Sequence, residues 1–434
     1  MSSNRKVVFS WCMYDWANSA FATTIMAAVL PTFYSKVAGA NLQPNIASAY
    51  WGYTVAIAMI TGAILAPILG AIADHTGARK RLMGFFALTG SIAAALLVLV
   101  STGDWLVASL FYILGNISFT SSIIFNDSLL PHIAGDRIDT ISTQGYALGY
   151  LGGGILLALN LAMIMKPEFF GIANAEWGSR ISFLSVGIWW AVFTLPVLLN
   201  VPEPPVTIVK GEYRNPVAAG FQRLAKTFAE VRNFKETFKM LIAFWLYNDG
   251  IGTIIVMATV FGSEIGIAQT DLIGAILAVQ FLGIPFTLLF GRIARRFSPK
   301  TGILISLTVY TGIAIGGYFI QNALHFWIMA VLVSMVQGGS QALSRSLYGS
   351  MIPKSKTAEF FGFYDVSSKV SGILGPFIFA LVAQFTGTSR LSIVSIVFFF
   401  ICGGLMLLTV NHKRGMETAD RMEREIQSTG AAMP

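Results

Sequence analysis

The sequence is poor in charged residues and in cysteine. Only 12% of its 434 residues are Asp, Glu, Lys or Arg, whereas soluble globular chains carry about 25%. Both cysteines, Cys12 and Cys402, fall within long apolar runs, which argues against a disulfide framework. Hydrophobic residues make up 55% of the chain, and the mean hydropathy is +0.68. The composition excludes a soluble domain and predicts a polytopic membrane protein.

Signals for a metal or a cofactor are also missing. The four histidines fall at the ends of apolar runs and never at the spacing of metal ligands. No Gly-x-x-x-x-Gly-Lys-Ser/Thr loop is present. We therefore predict neither a haem or zinc centre nor any other cofactor.

Apolar runs divide the chain into twelve candidate spans, each long enough for a bilayer-crossing helix of about 20 residues. The spans are 10–36, 48–73, 82–101, 105–131, 141–165, 180–201, 237–263, 271–294, 301–321, 325–352, 357–386 and 390–411. The longest polar stretch, 202–236, separates six spans from six. Its apolar residues recur at helical spacing with basic residues between them, which predicts an amphipathic helix on the membrane surface. A plain linker helix is the alternative.

The net charge of +8 is distributed unevenly between the two sides of these spans. The side with few basic residues has only Lys36, Lys166, Arg180 and Arg390. By the positive-inside rule the other, basic side is cytoplasmic, and both termini lie there. Topology thus explains the positive charge, so we expect no nucleic-acid partner. The first span is long, contains polar residues and lacks a small-residue cleavage site, so it is not a cleavable signal.

A short charged turn lies between the second and third spans, with the sequence Gly70-Ala-Ile-Ala-Asp74-His-Thr-Gly77-Ala-Arg79-Lys80-Arg81. Its Gly-x-x-x-Asp-x-x-Gly-x-Arg-Lys pattern resembles the signature loop of the major facilitator superfamily. This resemblance implies a secondary transporter in which Asp74 and Arg79 latch the cytoplasmic ends of the two halves together. Asp74 is suited to a helix N-terminus, which is partially positive.

The two halves of the chain repeat each other weakly. Trp11-x-x-x-Asp15 opens the first span and Trp245-x-x-x-Asp249 the seventh, and Gly291-Arg292-Ile-Ala-Arg295 follows the eighth span as the charged turn follows the second. Parallel six-helix repeats are an architecture of this superfamily. We predict an all-α membrane protein with twelve transmembrane helices in two pseudo-symmetric six-helix bundles. The predicted units are a bundle 1–201, a linker 202–236, a bundle 237–411 and a cytoplasmic tail 412–434.

Charged residues inside spans are costly and therefore indicate function. Those in this chain are Asp15, Asp127, Asp249, Arg345, Asp365 and Lys369. With neighbouring polar groups they form the candidate substrate or proton site, which also contains Asn18, Asn126, Tyr247, Asn248, Gln341 and Tyr364. A separate candidate cytoplasmic gate comprises Gly70, Asp74, Gly77, Arg79, Lys80, Gly291, Arg292 and Arg295.

Each charged candidate has two interpretations. Asp365 and Lys369 are four residues apart on one helix, so they can neutralise each other; alternatively Lys369 meets Asp249 or the substrate. Arg345 either grips a carboxylate or phosphate with its planar fork or forms a gate salt bridge to Asp127. Asp15 and Asp249 either bind a coupling proton, since burial raises a carboxyl pKa, or hydrogen-bond a neighbouring helix permanently.

Several further motifs resemble the vacuole effluxer-like branch of the superfamily, which includes fungal autophagy-related vacuolar amino-acid effluxers. They are Ser10-Trp-Cys-Met-Tyr-Asp-Trp-Ala-Asn-Ser-Ala-Phe21, Asn126-Asp-Ser-Leu-Leu-Pro131, Gly145-Tyr-Ala-Leu-Gly-Tyr-Leu-Gly-Gly-Gly154 and Gln341-Ala-Leu-Ser-Arg-Ser-Leu347. The resemblance implies alternating-access, proton-coupled transport of a small polar or zwitterionic, amino-acid-like solute. The short loops predict a bacterial inner-membrane protein, and we expect a monomer whose partners are the solute, protons and membrane lipids.

Other functions remain open at this stage. A lysophospholipid or another anionic lipid is the nearest alternative cargo, with Phe360, Phe361 and the phenylalanines of the last span facing acyl chains. An intramembrane aspartyl enzyme would need Asp15 and Asp249 close enough to share a proton, which opposite halves of a repeat do not favour. A channel is disfavoured because no ring of filter residues is visible.

Overall fold

A computed structural model describes residues 5–205, 234–267, 269–386 and 389–430. Regular structure in these ranges is helical, and no strand occurs among them. The helices are α1 (Arg5–Ala38), α2 (Pro44–Thr76), α3 (Arg79–Leu96), α4 (Trp105–Ala134), α5 (Ile138–Met165), α6 (Ala175–Asn200), α7 (Lys235–Glu264), α8 (Gln269–Arg296), α9 (Pro299–Gly317), α10 (Ala323–Ser350), α11 (Thr357–Thr386), α12 (Ser389–Ser395 and Val397–Leu408) and α13 (His412–Gly430). Helices suit this setting because hydrocarbon offers no partners for backbone N–H and C=O groups.

Most of these helices are apolar enough to cross a bilayer. Nine stretches of the described residues meet that criterion, and one of them, Trp105–Met165, contains both α4 and α5. The other two long helices, α7 and α11, carry buried polar groups described below. With them the described chain has twelve membrane-length helical units, as the sequence predicts.

Two spans are less regular than the sequence predicts. The first begins at Arg5, before residue 10, and contains π-helical segments at Phe21–Val29 and Tyr34–Ala38. The last is divided at Ile396 into two helical pieces. The predicted amphipathic helix of the linker falls on residues 206–233, which lie outside the described residues.

Each set of six helices surrounds its own hydrophobic core. Phe21, Phe125 and Trp190 are fully buried among α1–α6, whereas Tyr310 and Phe400 stack in the core of α7–α12 with ring centroids 5.3 Å apart. Aromatic side chains bury large areas and prefer such offset contacts. These cores make each six-helix set a compact packing unit.

The two sets meet mainly through α2 against α11 and α5 against α8. Small residues permit this close approach. A Cβ added at Gly362 of α11 would come within 2.7 Å of the Ala66 carbonyl oxygen of α2, and one at Gly154 of α5 within 3.2 Å of Gln280 of α8. The interface therefore brings side chains from different halves into direct contact.

We call the end of the bundle that carries the C-terminus of α2 and the N-terminus of α11 the basic end, because its loops carry most of the basic residues. The predicted tail is helical there: α13 folds back against α7, α10 and the α10–α11 connection. The sequence interpretation treated 412–434 only as a tail and gave it no structure.

Candidate functional site

A buried guanidinium joins the two halves near the basic end. Arg345 of α10 is 3% exposed, and its Nη1 lies 2.9 Å from Asp127 Oδ1 of α4 while its Nη2 lies 3.1 Å from Asp15 Oδ2 of α1. Its Nε donates to Ser142 Oγ of α5 at 2.9 Å, and Nη2 donates to the Ser142 carbonyl at 3.0 Å. We call these four residues the Arg345 cluster.

Aromatic rings complete the enclosure of this guanidinium. The Arg345 Cζ atom lies 4.5 Å from the ring centroid of Tyr146 and 4.9 Å from that of Trp11. Guanidinium groups stack favourably on aromatic faces when water is excluded. Trp11 is held in turn by a 2.8 Å hydrogen bond from Nε1 to the Asn126 carbonyl.

The Arg345 cluster decides between the two interpretations of Arg345 in this conformation. The predicted contact with Asp127 is present, and Asp15, which the sequence analysis did not connect with Arg345, supplies a second carboxylate. Removing one partner from a buried ion pair typically costs about 3–5 kcal/mol because a buried charge is left uncompensated. Arg345 is therefore occupied by protein groups and unavailable to a solute while the halves stay together.

The second intramembrane cation has fewer hydrogen-bond acceptors around it among the described residues. Lys369 of α11 reaches across the interface, and its Nζ donates to Thr120 Oγ1 of α4 at 2.8 Å, the one hydrogen bond it forms in the described structure. A Cβ added at Gly62 of α2 would lie 3.3 Å from Lys369 Cε. An ammonium has three donors, so two of them lack a protein acceptor among the described residues.

The predicted Asp365–Lys369 pair does not form in this structure. No ion pair among the described residues joins them, and Asp365 Oδ2 is buried without a hydrogen-bond partner. The expectation failed because Lys369 points across to α4 rather than along its own helix. The described residues show no hydrogen bond or ion pair between Lys369 and Asp249 either.

Polar groups of α7 and α10 pair with each other. Gln341 Nε2 donates to Asn248 Oδ1 at 2.7 Å. One residue earlier on α7, the Tyr247 hydroxyl lies 2.5 Å from Ser344 Oγ. These two hydrogen bonds join α7 to α10.

Asp249 occupies a buried site without a cation. Its Oδ1 accepts a 2.9 Å hydrogen bond from the Gly375 backbone N–H of α11, and its side chain is almost fully buried. Its Oδ2 has no hydrogen-bond partner in the part of the chain that the structure describes. A buried carboxylate with an unpartnered oxygen is stabilised by taking up a proton.

Three other predicted residues lie close to these groups without polar partners for key atoms. The hydroxyl of Tyr364, both side-chain polar atoms of Asn126 and Nδ2 of Asn18 are buried and unbonded. Tyr364 stacks on Phe244 with ring centroids 4.2 Å apart. Buried polar atoms of this kind carry a desolvation cost of about 1–3 kcal/mol each.

The charged turn forms a contact between the halves that we call the latch. Asp74 Oδ1 accepts from Arg79 Nε at 2.7 Å and from the Ala358 N–H at 3.2 Å, and Oδ2 accepts from the Glu359 N–H at 2.8 Å. Asp74 and Arg79 are each about 1% exposed. The carboxylate thus lies at the N-terminus of α11, where orphan N–H groups and the helix dipole favour an anion.

The geometry of the turn explains why two of its positions are glycine. A Cβ at Gly70 would overlap the Ala358 carbonyl oxygen, so α2 can approach α11 only without one. Gly77 ends α2 with φ +63°, the left-handed conformation that favours glycine. Lys80 anchors the turn to the end of α6 by donating from Nζ to the Val201 carbonyl at 2.7 Å.

Among the described residues, the corresponding turn of the second half forms no such latch. A Cβ at Gly291 would meet the Thr143 hydroxyl of α5, which shows close packing there too. Arg292 and Arg295, however, are exposed. Arg295 stands where the first turn has Asp74, and an arginine cannot accept hydrogen bonds from a helix N-terminus.

An apolar cavity of about 160 Å³ lies inside the second half, toward the end opposite the basic end. Its polar lining residues are Gln280 and Gln337, and the other lining side chains include Ile254, Phe261 and Phe326. Gln337 lies one turn from Gln341 on α10, so both share a helix face. The cavity therefore adjoins the Asn248–Gln341 pair.

Sequence reasoning missed the uncharged members of these groups. Ser142, Tyr146 and Thr120 each contact an intramembrane cation. Thr120 stands in the polar run Ser118-Phe-Thr-Ser-Ser122 within an otherwise apolar span, and that run was the available signal. Side-chain hydroxyls are common in membrane helices, so the sequence alone does not indicate which of them faces a charge.

Comparison with known sequences agrees with these features. The family model described as vacuole effluxer Atg22 like matches residues 3–140 and 135–420. A Bacillus subtilis (strain 168) protein described as an uncharacterized MFS-type transporter, YxiO, is 35% identical over 415 residues, covering 95% of this chain and 96% of that protein. Autophagy-related protein 22 of Yarrowia lipolytica is 23% identical over 459 residues, covering 86% of this chain and 77% of its own length.

Solved structures of the same superfamily share the fold. The proton:xylose symporter XylE aligns with a TM-score of 0.71 at 17% identity, over 96% of this chain and 98% of its own. The human organic anion transporter MFSD10 aligns with a TM-score of 0.69 at 12% identity, over 93% of this chain and 99% of its own. The family description and the Bacillus relative indicate transport rather than the aspartyl-enzyme alternative. The chain is a multi-pass membrane transporter of the major facilitator superfamily and belongs to its vacuole effluxer Atg22-like family.

Proposed function

We propose that the protein moves a small zwitterionic, amino-acid-like solute across the membrane by alternating access, coupled to protons. The observation that carries this proposal is the contrast between its two intramembrane cations. Arg345 is neutralised by two carboxylates, whereas Lys369 lies at the interface of the halves with a single neutral acceptor. Lys369 is thus the group available to an anionic end of the cargo.

Binding at Lys369 links the solute to the movement of the halves. A carboxylate forms a charge-assisted hydrogen bond, which is roughly twice as strong as a neutral one. It therefore displaces Thr120 Oγ1 and releases α11 from α4. The Asn248–Gln341 pair offers amide groups to the uncharged polar part of the cargo.

Asp249 is the proposed proton-binding residue. Its buried Oδ2 has no partner, while the corresponding Asp15 is held by Arg345. Taking up a proton relieves the cost of an uncompensated buried carboxylate, and losing it restores that cost. The description of XylE as a proton symporter is consistent with proton coupling in this superfamily.

The conformation fits a carrier closed at the basic end. The latch and the Arg345 cluster both join the halves there. The charge bias of the loops makes the basic end cytoplasmic, with both termini inside and the predicted halves 1–201 and 237–411 rocking about the central site. The short loops support a bacterial inner membrane, and nothing in the mechanism requires more than a monomer.

An amphipathic cargo is the second candidate, and the apolar cavity favours it. The expected acyl-chain residues do not line that cavity: Phe360 and Phe361 are buried in the core near the basic end, where Phe360 packs edge-on against Phe234 at 5.0 Å. An apolar cavity of about 150 Å³ holds one benzene. The cavity of about 160 Å³ therefore has room for an apolar group of about that size.

The test is uptake into proteoliposomes of labelled neutral amino acids and a lysophospholipid, with and without an inward proton gradient. Gradient-stimulated accumulation of an amino acid is expected, and Lys369→Gln should abolish it. Lys166→Gln, an exposed loop lysine, is the matched control and should transport normally. Movement of the lysolipid alone, or normal amino-acid uptake by Lys369→Gln, would contradict the proposal.

A further inference from the structure

The C-terminal helix α13 docks onto the connection between α10 and α11. Ala419 is 4% exposed, and a Cβ added at Gly415 would lie 2.6 Å from Met351 Sδ. Gly415 and Ala419 are buried four residues apart and Met422 packs against the core of the second half, whereas most charged residues of α13 are exposed. The helix is therefore packed against the bundle, with an apolar seam, rather than lying free.

Three polar contacts fix this docking. Glu423 Oε2 accepts hydrogen bonds from both the backbone N–H and Oγ of Ser355, each at 2.9 Å. The His412 Nε2 atom lies 2.8 Å from Ser350 Oγ. The residue before α13, Asn411, donates its N–H to Glu236 Oε2 of α7 at 2.7 Å. The helix is thus held at its start and near its end.

The position of Glu423 links α13 to the latch. Ser355 lies three residues before Ala358, whose N–H binds Asp74 from the other half. The N-terminal region of α11 therefore meets two carboxylates: Asp74 across the interface and Glu423 from the chain's own end. Glu423 acts within the second half, so it positions the N–H groups that the latch uses.

We propose that α13 is a brace for the cytoplasmic gate, with Glu423 as a positioning residue that holds the α10–α11 connection in register for Asp74. The brace stabilises the closed latch, and its release favours opening toward the cytoplasm. This inference rests on the proposed alternating-access function. It gives the chain's own C-terminal helix a regulatory role in transport.

The test measures gate opening directly, without cargo. Spin labels at exposed Thr76 and Phe297, in a background with both cysteines replaced, report the separation of the halves at the basic end. Losing a hydrogen bond to a charged group changes an equilibrium by roughly tenfold or more. Glu423→Ala should therefore raise the long-distance population by about that factor, and Ser355→Ala should shift it in the same direction.

Two controls keep the proposal falsifiable. Glu417→Ala removes an exposed carboxylate from the same helix and should leave the distances unchanged. In an Asp74→Asn background, Glu423→Ala should add little, because the brace acts through the latch. The brace would be overturned if Glu423→Ala left the distances unchanged. It would also be overturned if Glu423→Ala increased the opening equally in the wild-type and the Asp74→Asn backgrounds. Since no cargo is used, absence of amino-acid transport would not affect the result.

Discussion

Asp15 and Asp249 stand at corresponding positions on the first helix of each half, yet their surroundings differ. Asp15 is held by Arg345 from the other half, whereas Asp249 accepts a backbone N–H from its own half and keeps one oxygen unpartnered. The same position of the repeat therefore has different contacts in the two halves. One carboxylate belongs to the contact between the halves, and the other is the residue proposed to bind the proton.

The two charged turns repeat this division. The first turn has Asp74 at the N-terminus of α11, whereas the second turn has the exposed Arg295 at the corresponding position. The closed contact at the basic end is thus asymmetric: the first half supplies the carboxylates and the second half supplies Arg345 and the helix N-terminus. Opening that end separates opposite charges, and in the proposed mechanism the binding of cargo and proton offsets this cost.

The largest effect is expected from removing the cation shared by the two halves. Arg345→Gln leaves Asp15 and Asp127 buried without a counter-charge, which costs about 3–5 kcal/mol of unfolding free energy. Thermal unfolding of the purified protein and solute uptake should both show a severe loss. Arg180→Gln is the control: its partner Glu176 is 37% exposed, so the loss should stay below about 1 kcal/mol. If Arg345→Gln and Arg180→Gln lost similar amounts of stability and uptake, the Arg345 cluster would have no special role in transport.

The comparison of the two aspartates is sharpened by neutralising each in turn. Asp249→Asn keeps an acceptor for the Gly375 N–H but no longer titrates, so gradient-driven accumulation should be lost while exchange of labelled solute persists. Asp15→Asn removes a charged hydrogen bond worth about 1.5–3 kcal/mol, so it should weaken closure and keep the response to the gradient. Counterflow and gradient assays distinguish these outcomes. An unchanged pH dependence in Asp249→Asn would show that another group carries the proton.

A matched pair of glycines tests the asymmetry of the turns. The Cβ in Gly70→Ala overlaps a backbone carbonyl, which cannot move without shifting α11, and such overpacking costs about 1–3 kcal/mol. In Gly291→Ala the neighbour is the Thr143 side chain, which can rotate, so a smaller loss is expected. Spin-label distances at the basic end provide the measurement. Equal opening in both variants would contradict the asymmetric latch.

The smallest effect is expected from pH acting on α13. Burial, followed by the charge of Lys300, lowers the pKa of His412. The docked helix therefore keeps His412 neutral, and docking is fully stable above the ordinary histidine pKa of about 6.5 and weakens as the pH falls below it. Protease protection of α13 at about pH 7.5 and about pH 5.5 measures this. His412→Gln should remove the difference, and a persistent pH dependence would assign it to another group.

Part of the site was predictable from local sequence. The turn is recognisable because three requirements fall within eight positions. Asp74 provides an anion, Gly70 permits the close approach of α2 to α11, and Gly77 adopts the left-handed backbone conformation. The expected Asp127–Arg345 contact is also present. The alternative in which Asp365 and Lys369 pair finds no hydrogen bond or ion pair among the described residues, since helical spacing shows which residues can meet on one helix and not whether another helix offers a better partner. The placement of Phe360 and Phe361 against acyl chains failed because hydrophobicity does not distinguish a core from a cavity.

The sequence by itself determined the membrane location, the twelve spans, the repeat of six helices and the latch turn, because hydropathy, charge bias and glycine spacing act over short stretches. Tertiary structure alone decided which partner each buried charged side chain contacts. Arg345 meets an aspartate 330 positions away, and Lys369 finds a threonine 249 positions away. Those choices depend on how the two bundles pack, and so does the docking of α13 on the gate.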